Sequence, residues 1–512
     1  MTNHMPRKFK SNASANLVAS YAGQIWVALI SVLFIPVYVS LLGLESYGII
    51  GFYAFLQASL VILDLGLRTA LSRETVRYFS GQNLEKYRDL VRSIELIFLV
   101  FALILVVGIG VTADWLSTRW FVLKDLTPSL VASCLKIMGF IAAFRFIEGI
   151  YSSILLGQQR HVLLNILLAL LATLKGVGAV FILVFVAADL ETFFLWQALV
   201  SLLSLVAMMF FAYAAIGPSS RRAEFSLSEL KRIKSYALSI AAASVLGVII
   251  ANSDKFLLST LLPLSEFGVY ALSATIASFI LTLAGPINQT WLPKLTELAV
   301  EKKVSQLKNT FHIGAQISSL LIGTLAIVLL IYANTFLLLW TDDEELSAKI
   351  APILRILVVG NLFSAIARFI SQTAYAHGLT RLVLYFNIFA IVFIIPALFI
   401  IIPHFGAIGA AYLWVVYTGG VLFLGCPLFF RNILIGERFR WYVLDTALPL
   451  TAGVLASLFF YLIIPQPTTW IAQSVVLILG TIITFVAILL SMPTLRGIVE
   501  ARASKLIKAK IF

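Results

Sequence analysis

The sequence is poor in charge, because only 12% of its 512 residues are Asp, Glu, Lys or Arg whereas 61% are hydrophobic. Soluble domains carry about 25% charged and about 45–50% apolar residues, so the composition excludes a soluble globular protein. Cysteine is nearly absent, and Cys134 and Cys426 both fall inside apolar runs. This pattern excludes a disulfide framework and a cysteine-ligated metal site. The chain is predicted to be an integral membrane protein.

Catalytic motifs are also lacking. The sequence contains no P-loop, dinucleotide-binding fingerprint, paired-metal spacing or nucleophile elbow. The predicted loops between spans are too short for a soluble catalytic domain. The five histidines are scattered without ligand spacing, at His4, His161, His312, His377 and His404. We therefore predict that the protein is not an enzyme and that it uses no metal or other cofactor.

Apolar runs of about 20 residues indicate membrane-spanning helices. Basic residues between the runs are distributed unevenly, since 27 of the 37 Lys and Arg residues lie in the N-terminus, the even-numbered loops and the C-terminus. Both termini are therefore expected in the cytoplasm. The net charge of +13 is interpreted as this topology signal and an affinity for the anionic inner leaflet, not as nucleic-acid binding. The fourteen predicted spans are 15–40, 47–71, 93–113, 129–155, 163–187, 192–215, 237–260, 267–291, 310–332, 351–375, 383–403, 407–430, 444–464 and 470–491.

Two stretches of sequence recur. LGLESYGIIG (42–51) aligns with LPLSEFGVYA (262–271), and GQQRHVLLN (157–165) aligns with GLTRLVLYFN (378–387) with one inserted residue. The shared orientation predicts an all-α polytopic fold with two parallel six-helix halves around a central cavity, a plan found in secondary transporters. The predicted regions are an N-terminal half (1–216), a cytoplasmic connector (217–235), a C-terminal half (236–431) and two additional helices with a basic cytoplasmic tail (432–512).

Two regions outside this cavity are also interpreted from composition. The segment 72–92 is dense in charges of both signs and is expected to be a solvated amphipathic segment on the membrane surface. The last two spans contain almost no ionisable residue. They have no equivalent in the repeat and are expected to contact lipid.

Charged residues inside spans are the main candidates for function, because a charge at the bilayer centre costs about 2.5–3.5 kcal/mol and must face protein or water. Arg145 and Glu148 lie in the apolar run IAAFRFIEGIYSSILLG, and Lys175 lies near the middle of the fifth span. Arg368 occupies the corresponding span of the second half. A surplus of basic over acidic residues in the spans favours an anionic head group, since the planar guanidinium suits phosphate.

Polar residues in the tenth span form a stripe. Asn361, Ser364, Arg368 and Gln372 recur at spacings of three, four and four, which places them on one helical face. Such a face is costly against lipid and is expected to line the cavity. The candidate substrate-binding residues are Arg145, Lys175, Arg368, Asn361, Gln372 and Lys255.

Three carboxylates inside spans are candidate coupling groups or ion-pair partners. Asp64 lies one turn from Arg68, so it either neutralises that arginine or has a substrate or proton role. Glu148 is either the partner of Arg145 or a coupling carboxylate, and the partner role is favoured. Asp254 is adjacent to Lys255 on a helix, and the two side chains point about 100° apart, so no similar pair is expected there.

Several motifs carry a family resemblance. The first span ends in P-x-x-x-x-L-L-G-x-x-x-Y-G (36–48), DLG follows at 64–66, SDKFLLS occupies 253–259, and fourteen spans surround a basic central loop. With these features the sequence resembles the Wzx-type polysaccharide flippases of the multidrug/oligosaccharidyl-lipid/polysaccharide (MOP) superfamily. The first span lacks the charged residues of the lipid II flippases and the acidic residue of many drug-exporting relatives.

The resemblance implies a function and its partners. Such proteins move undecaprenyl-diphosphate-linked oligosaccharide repeat units from the cytoplasmic to the periplasmic leaflet of the bacterial inner membrane, for O-antigen or other surface polysaccharide. The expected partners are the lipid-linked oligosaccharide, the bilayer and other polysaccharide assembly proteins, with no nucleic acid. The alternatives are a proton- or sodium-coupled drug antiporter of the same superfamily and a polysaccharide polymerase or ligase. Transport by proton, sodium or membrane potential alone is left open.

Overall fold

The protein is described by a computed structural model that covers residues 13–79, 84–218, 221–376, 380–465 and 469–497. Within these ranges the secondary structure is helical, apart from one isolated bridge between Val122 and Pro263. The helices are α1 (Ala13–Leu33), α2 (Ile35–Leu42), α3 (Leu44–Ser59), α4 (Leu67–Phe79), α5 (Leu84–Trp115), α6 (Pro128–Gly157), α7 (His161–Phe185), α8 (Leu190–Ile216), α9 (Leu227–Leu261), α10 (Leu264–Ala277), α11 (Phe279–Val300), α12 (Val304–Ile331), α13 (Ala333–Thr341), α14 (Glu344–Ala376), α15 (Thr380–Gly420), α16 (Cys426–Asn432), α17 (Arg438–Arg440), α18 (Leu448–Ile463) and α19 (Trp470–Leu490). The predicted all-helical fold is confirmed.

The helices include 13 stretches in the described ranges that are long and apolar enough to cross a membrane. One of them, Phe386–Arg431, has 46 residues. At 1.5 Å per residue it would be about twice as long as the ~30 Å hydrocarbon layer is thick. Its helix α15 is interrupted at Gly406, where φ is 57° and ψ is −145°. This glycine lies between the predicted spans 383–403 and 407–430, so the long stretch contains both of them. The protein is a multi-pass membrane protein.

The chain divides into two compact units, Met1–Gly268 and Val269–Phe512. Unit 1 contains α1 to α9 and the start of α10. Helix α9 belongs by the sequence repeat to the C-terminal half, yet it packs against α3, α4 and α5 of unit 1. The division into an N-terminal half that ends at 216 and a C-terminal half that begins at 236 remains a prediction.

The interior of unit 1 is built around α5, α6 and α8. Phe98 of α5 stacks on Phe146 of α6 with ring centroids 4.3 Å apart, and Ile94 and Ile150 beside them are completely buried. The outward face of α5 is apolar as well, with Val111 exposed. An exposed apolar face on a helix of this length suits contact with lipid. The buried face fixes α6, which carries Arg145 and Glu148.

The second predicted span is a broken helix and not the continuous helix expected over 47–71. Helix α3 ends at Ser59, a 3₁₀ turn covers Leu60–Ile62, and α4 begins at Leu67. Between them Leu65 and Gly66 have positive φ values of 51° and 71°. A Cβ at Gly66 would lie 2.2 Å from the carbonyl oxygen of Ala237 in α9. The glycine of the DLG motif therefore serves both the turn and the close approach of α9.

The described residues of the charged segment 72–92 are only partly solvated, because buried carboxylates alternate with exposed charged residues, so the prediction of a solvated surface segment was wrong in part. Its described residues continue α4 and begin α5. Glu74 is buried and pairs with Arg77 at 2.9 Å and with Arg232 of α9 at 2.8 Å. Asp89 is also buried, and it accepts a hydrogen bond from the guanidinium of Arg221 at 3.2 Å. The connector (217–235), which includes the start of α9, covers these carboxylates. The periodicity of residues within 72–92 could not indicate this long-range contact.

Unit 2 is organised around α12, which is the most deeply buried of its long apolar helices in the described ranges. Helices α11, α14, α18 and α19 all pack against it. The last two spans, α18 and α19, contact α12 on one side and expose apolar residues such as Leu455 and Leu462 on the other. That exposed face agrees with the expected contact with lipid.

The repeated outer turns of the sequence contact each other within unit 1. A Cβ at Gly48 would lie 2.3 Å from the carbonyl oxygen of Leu264, and a Cβ at Gly268 would lie 2.7 Å from the carbonyl oxygen of Leu44. In the alignment of 42–51 with 262–271, Gly48 is equivalent to Gly268 and Leu44 is equivalent to Leu264. Each glycine therefore faces the residue four positions before the other glycine. Such reciprocal contacts are typical of elements related by a two-fold axis.

Candidate functional site

Arg145 and Glu148 form an ion pair on α6. The guanidinium Nη1 of Arg145 lies 3.3 Å from Oε1 and 3.2 Å from Oε2 of Glu148. The spacing of three residues places both side chains on one helical face. Glu148 is buried, whereas the side chain of Arg145 is 38% exposed. The favoured sequence interpretation, in which Glu148 holds Arg145, agrees with this geometry, and the function of either residue stays a prediction.

Lys175 of α7 extends the site. Its ammonium Nζ donates a hydrogen bond to the hydroxyl Oγ of Ser201 in α8 at 2.9 Å. Lys175 and Tyr53 of α3 both interact electrostatically with Arg145 and Glu148. Four helices thus contribute to one polar cluster in unit 1. By formal charge the cluster is +1, because Arg145 and Lys175 outnumber Glu148, and this favours an anion.

Asp64 and Arg68 also form the pair that their spacing suggested. The Nε of Arg68 donates to Oδ2 of Asp64 at 2.9 Å, and the backbone N–H of Arg68 donates to Oδ1 at 2.8 Å. Asp64 thereby binds the first turn of α4 directly after the break. The guanidinium lies against α6, where a Cβ at Gly149 would be 2.4 Å from Nη1. Gly149 is one helical turn beyond Arg145.

Asp254 and Lys255 on α9 form a pair that the sequence interpretation excluded. The Nζ of Lys255 lies 3.2 Å from each carboxylate oxygen of Asp254 and donates to the carbonyl of Ala251 at 3.0 Å. The prediction considered only the directions of the two Cβ atoms, about 100° apart. A lysine stem has four methylene groups and can fold back, so the ammonium reaches the adjacent carboxylate.

The polar stripe of the tenth span lies in unit 2 on α14, and its residues have different environments. Asn361 is buried, and its side-chain oxygen accepts a hydrogen bond from the indole N–H of Trp414 at 2.9 Å. Arg368 is exposed. The side chain of Gln372 lies outside the described residues. Lining of a cavity by this stripe stays a prediction.

A buried polar network in unit 2 was missed by the sequence interpretation. His312 of α12 hydrogen-bonds through Nδ1 to the carboxylate of Asp445, and both side chains are completely buried. Its Nε2 lies 3.1 Å from Glu437, which also pairs with Lys308 at 2.7 Å. Gln316, one turn along α12, donates to Asp445 at 2.7 Å. The spacing of His312, Gln316 and Lys308 on one helical face was a signal in the sequence, but their partners are more than 120 residues away.

Comparison with known families adds to this geometry. A family model described as "Polysaccharide biosynthesis protein" matches residues 14–299. The chain belongs to this polysaccharide biosynthesis protein family. A second model, MatE, matches residues 239–400. The matched segment of the first model contains Asp64, Arg145, Glu148 and Lys175.

Individual relatives agree with the family. The Shigella flexneri protein named "Putative O-antigen transporter" is 19% identical over 377 residues, which cover 73% of this chain and 87% of that protein. The structure titled "Lipid II flippase MurJ, inward closed conformation" has a TM-score of 0.70 at 14% identity, covering 92% of this chain and 98% of that one. An inward-facing multidrug resistance MATE family transporter of the MOP superfamily has a TM-score of 0.63 at 16% identity, covering 82% and 96% of the two chains.

These findings confirm the resemblance on which the sequence interpretation depended. The family is that of polysaccharide biosynthesis proteins and the fold is that of MOP transporters and flippases. The family and the relatives indicate a membrane transporter or flippase.

Proposed function

We propose that this protein is a flippase for undecaprenyl-diphosphate-linked oligosaccharide repeat units, which it moves from the cytoplasmic to the periplasmic leaflet of the bacterial inner membrane. The observation that carries the proposal is the cationic cluster of Arg145 and Lys175 within the segment that the polysaccharide family model matches. Both termini would lie in the cytoplasm, and the carried glycan would enter surface polysaccharide such as O-antigen.

The chemistry of the cluster suits a diphosphate. Arginine presents planar N–H donors that match phosphate oxygens, and lysine adds a point charge beside them. Ser201 holds the ammonium of Lys175 at 2.9 Å, and Glu148 holds the guanidinium of Arg145 at 3.2 Å, so both cations are oriented before substrate arrives. A phosphate that replaces Glu148 as the partner of Arg145 would keep that charge compensated. The polyprenyl tail would remain in lipid.

The membrane potential alone is a sufficient driving force for this step. Moving about two negative charges outward releases roughly 4–5 kcal/mol per 100 mV when no counter-charge travels. Alternating access between two repeats is the established plan for transporters built this way. Arg368, Asn361, Gln372 and Lys255 stay candidates for contacts with the sugars or the diphosphate.

Complementation tests the proposal. In a strain that lacks its own copy of this gene, Arg145→Gln and Lys175→Gln should abolish surface polysaccharide, because each removes a cation from the cluster. Lys136→Gln is the matched control. Lys136 also lies on α6, but it is half-exposed and pairs with Asp114 at 3.2 Å. Amounts of each variant in the membrane are compared by immunoblot, and full polysaccharide from Arg145→Gln and Lys175→Gln would contradict the proposal.

Drug export is the second candidate, because the MatE model matches residues 239–400 and a MATE transporter shares the fold. A transporter of cationic drugs would use acidic groups in its cavity. In unit 1 the acidic candidates Asp64 and Glu148 are each paired with an arginine. Expression in a host sensitised to cationic compounds distinguishes the two functions. Resistance without restored polysaccharide would favour the antiporter.

A further inference from the structure

A cavity of about 510 Å³ lies in unit 1 between α4, α6 and α9. We call it the inner cavity, since the positive-inside pattern places this end of the helices toward the cytoplasm. Its size falls in the range of about 300–1,000 Å³ that is usual for small-molecule sites. The residues that define it are Asp64, Arg68, Ser72, Arg73, Tyr236 and Ser244.

The lining of the inner cavity favours an anion. The lining contains two arginines, Arg68 and Arg73, and one carboxylate, Asp64, so its formal charge is +1. The wall also contains hydroxyl groups, including those of Ser72 and Ser244. These neutral groups can donate hydrogen bonds to phosphate oxygens. Thr69, Ser72, Arg73 and Val76 share one face of α4, so a single regular helix presents a continuous wall.

Arg73 is held in a suitable orientation. Its Cζ lies 4.3 Å above the ring centroid of Tyr236 on α9. Stacking fixes the plane of a guanidinium while its N–H donors remain at the edge of that plane, where they can bind a phosphate in a bidentate manner. The nearby carboxylate of Glu74 is already compensated by Arg77 and Arg232. An anion beside Arg73 therefore meets little repulsion from α4.

Arg68 connects the inner cavity with the deeper cluster. It lines the cavity, and its guanidinium also touches Gly149 on α6, one turn from Arg145. Basic side chains thus follow one another from Arg73 through Arg68 to Arg145 and Lys175 within unit 1.

We propose that the inner cavity is a first docking site for the diphosphate of the lipid-linked substrate, held by Arg73 with Arg68 before transfer to Arg145 and Lys175. This inference rests on the proposed function and adds a site to it. It makes Arg73 a binding residue and Tyr236 the residue that positions it.

Binding to the full-length purified protein in lipid nanodiscs tests the inference, with undecaprenyl diphosphate as the probe. Arg73→Gln should weaken binding by about tenfold or more, the usual loss for a hydrogen bond between charged groups. Arg77→Gln is the matched control on the same helix, because Glu74 keeps Arg232 as a partner when Arg77 is changed. It should bind within about twofold of the wild type.

A second pair of variants tests the cavity without touching an arginine. Ser244→Asp places a negative charge in the wall, whereas Ser244→Asn adds similar bulk without charge. Binding should be weaker in Ser244→Asp than in Ser244→Asn by about tenfold or more, since like charges at close range repel. Equal binding in these two variants would overturn the inference, as would wild-type binding by Arg73→Gln. Inorganic pyrophosphate and phosphatidylglycerol are compared as probes, and competition by phosphatidylglycerol alone would assign the cavity to a bilayer lipid and overturn the inference.

The outcome separates this inference from the proposed function. If Arg73→Gln and Ser244→Asp bind normally while Arg145→Gln fails to restore polysaccharide, the docking site is wrong and the flippase remains supported. If the wild type neither binds undecaprenyl diphosphate nor restores polysaccharide, both proposals fail.

Discussion

The three span carboxylates that were candidate coupling groups are each compensated locally, by a basic residue within four positions. Each of these carboxylates already holds a neighbouring cation, and this geometry favours a partner role for them. The pairs are Asp64 with Arg68, Glu148 with Arg145, and Asp254 with Lys255.

Variants of the Arg145–Glu148 pair distinguish a role of Arg145 in substrate binding from a role in protein stability. Arg145→Gln leaves Glu148 buried without its partner and should cost about 1–3 kcal/mol of stability, together with transport. The double variant Arg145→Gln/Glu148→Gln removes both charges, so its thermal midpoint should return toward that of the wild type. Transport should remain absent because the cation is missing. Thermal unfolding of the purified protein and surface polysaccharide are measured on the same variants, and a double variant that transports normally would assign Arg145 a purely structural role.

Sequence spacing predicted some of these contacts and missed others. Asp64 and Arg68 are one turn apart, so their pairing follows from helix geometry. The pair of Asp254 and Lys255 depends on how far a flexible stem folds back, which Cβ directions do not determine. The environment of Lys175 depends on Ser201 in another helix, and no local pattern indicates such a contact.

At the scale of the element, the break in the second span lies where helix α9 packs closely against it. The turn at Leu65 and Gly66 interrupts the helix where the carbonyl of Ala237 approaches it. Broken helices are common in transporters where backbone groups line a polar cavity. Here the break places Asp64 and Arg68 at the inner cavity. Hydropathy predicted an apolar segment at this position, but it cannot predict a positive φ at Leu65.

The His312 network should fix the last two spans to α12. His312→Leu leaves the fully buried Asp445 without its main partner, and the expected loss is about 3–5 kcal/mol. In His312→Leu/Asp445→Leu no buried charge is left unpaired, so the thermal midpoint should lie above that of His312→Leu. Thermal unfolding in detergent measures both. Equal midpoints for the wild type and His312→Leu would show that the network contributes little.

Acidification offers a second measurement on the same network. The hydrogen bond from Lys308, together with that from His312, holds the pKa of Glu437 below its ordinary value. A lowered folded-state pKa means that the stabilisation is present above the ordinary glutamate pKa of about 4.3 and is lost as the pH falls below it. The thermal midpoint of the wild type should therefore decline over this range, and Glu437→Gln should decline less.

At the scale of the whole molecule, hydropathy predicted the helices well because each span must satisfy its own backbone hydrogen bonds in lipid. The predicted spans 383–403 and 407–430 even located the interruption at Gly406. Contacts between distant segments were beyond such reasoning. His312 and Asp445 are 133 residues apart, and only the packing of α12 with the last spans brings them together.

The two repeated outer turns contact each other, and this contact can be tested. Gly48→Ala and Gly268→Ala each push a methyl group into a backbone carbonyl of the other repeat, so each should lower the thermal midpoint and reduce transport. Because both changes separate the same two turns, their effects should be less than additive in the double variant. Gly110→Ala is the control, since a Cβ there meets nothing within 4 Å. If Gly48→Ala behaved like Gly110→Ala, the two outer turns would not be in tight contact, and the reciprocal packing of the repeats would be contradicted.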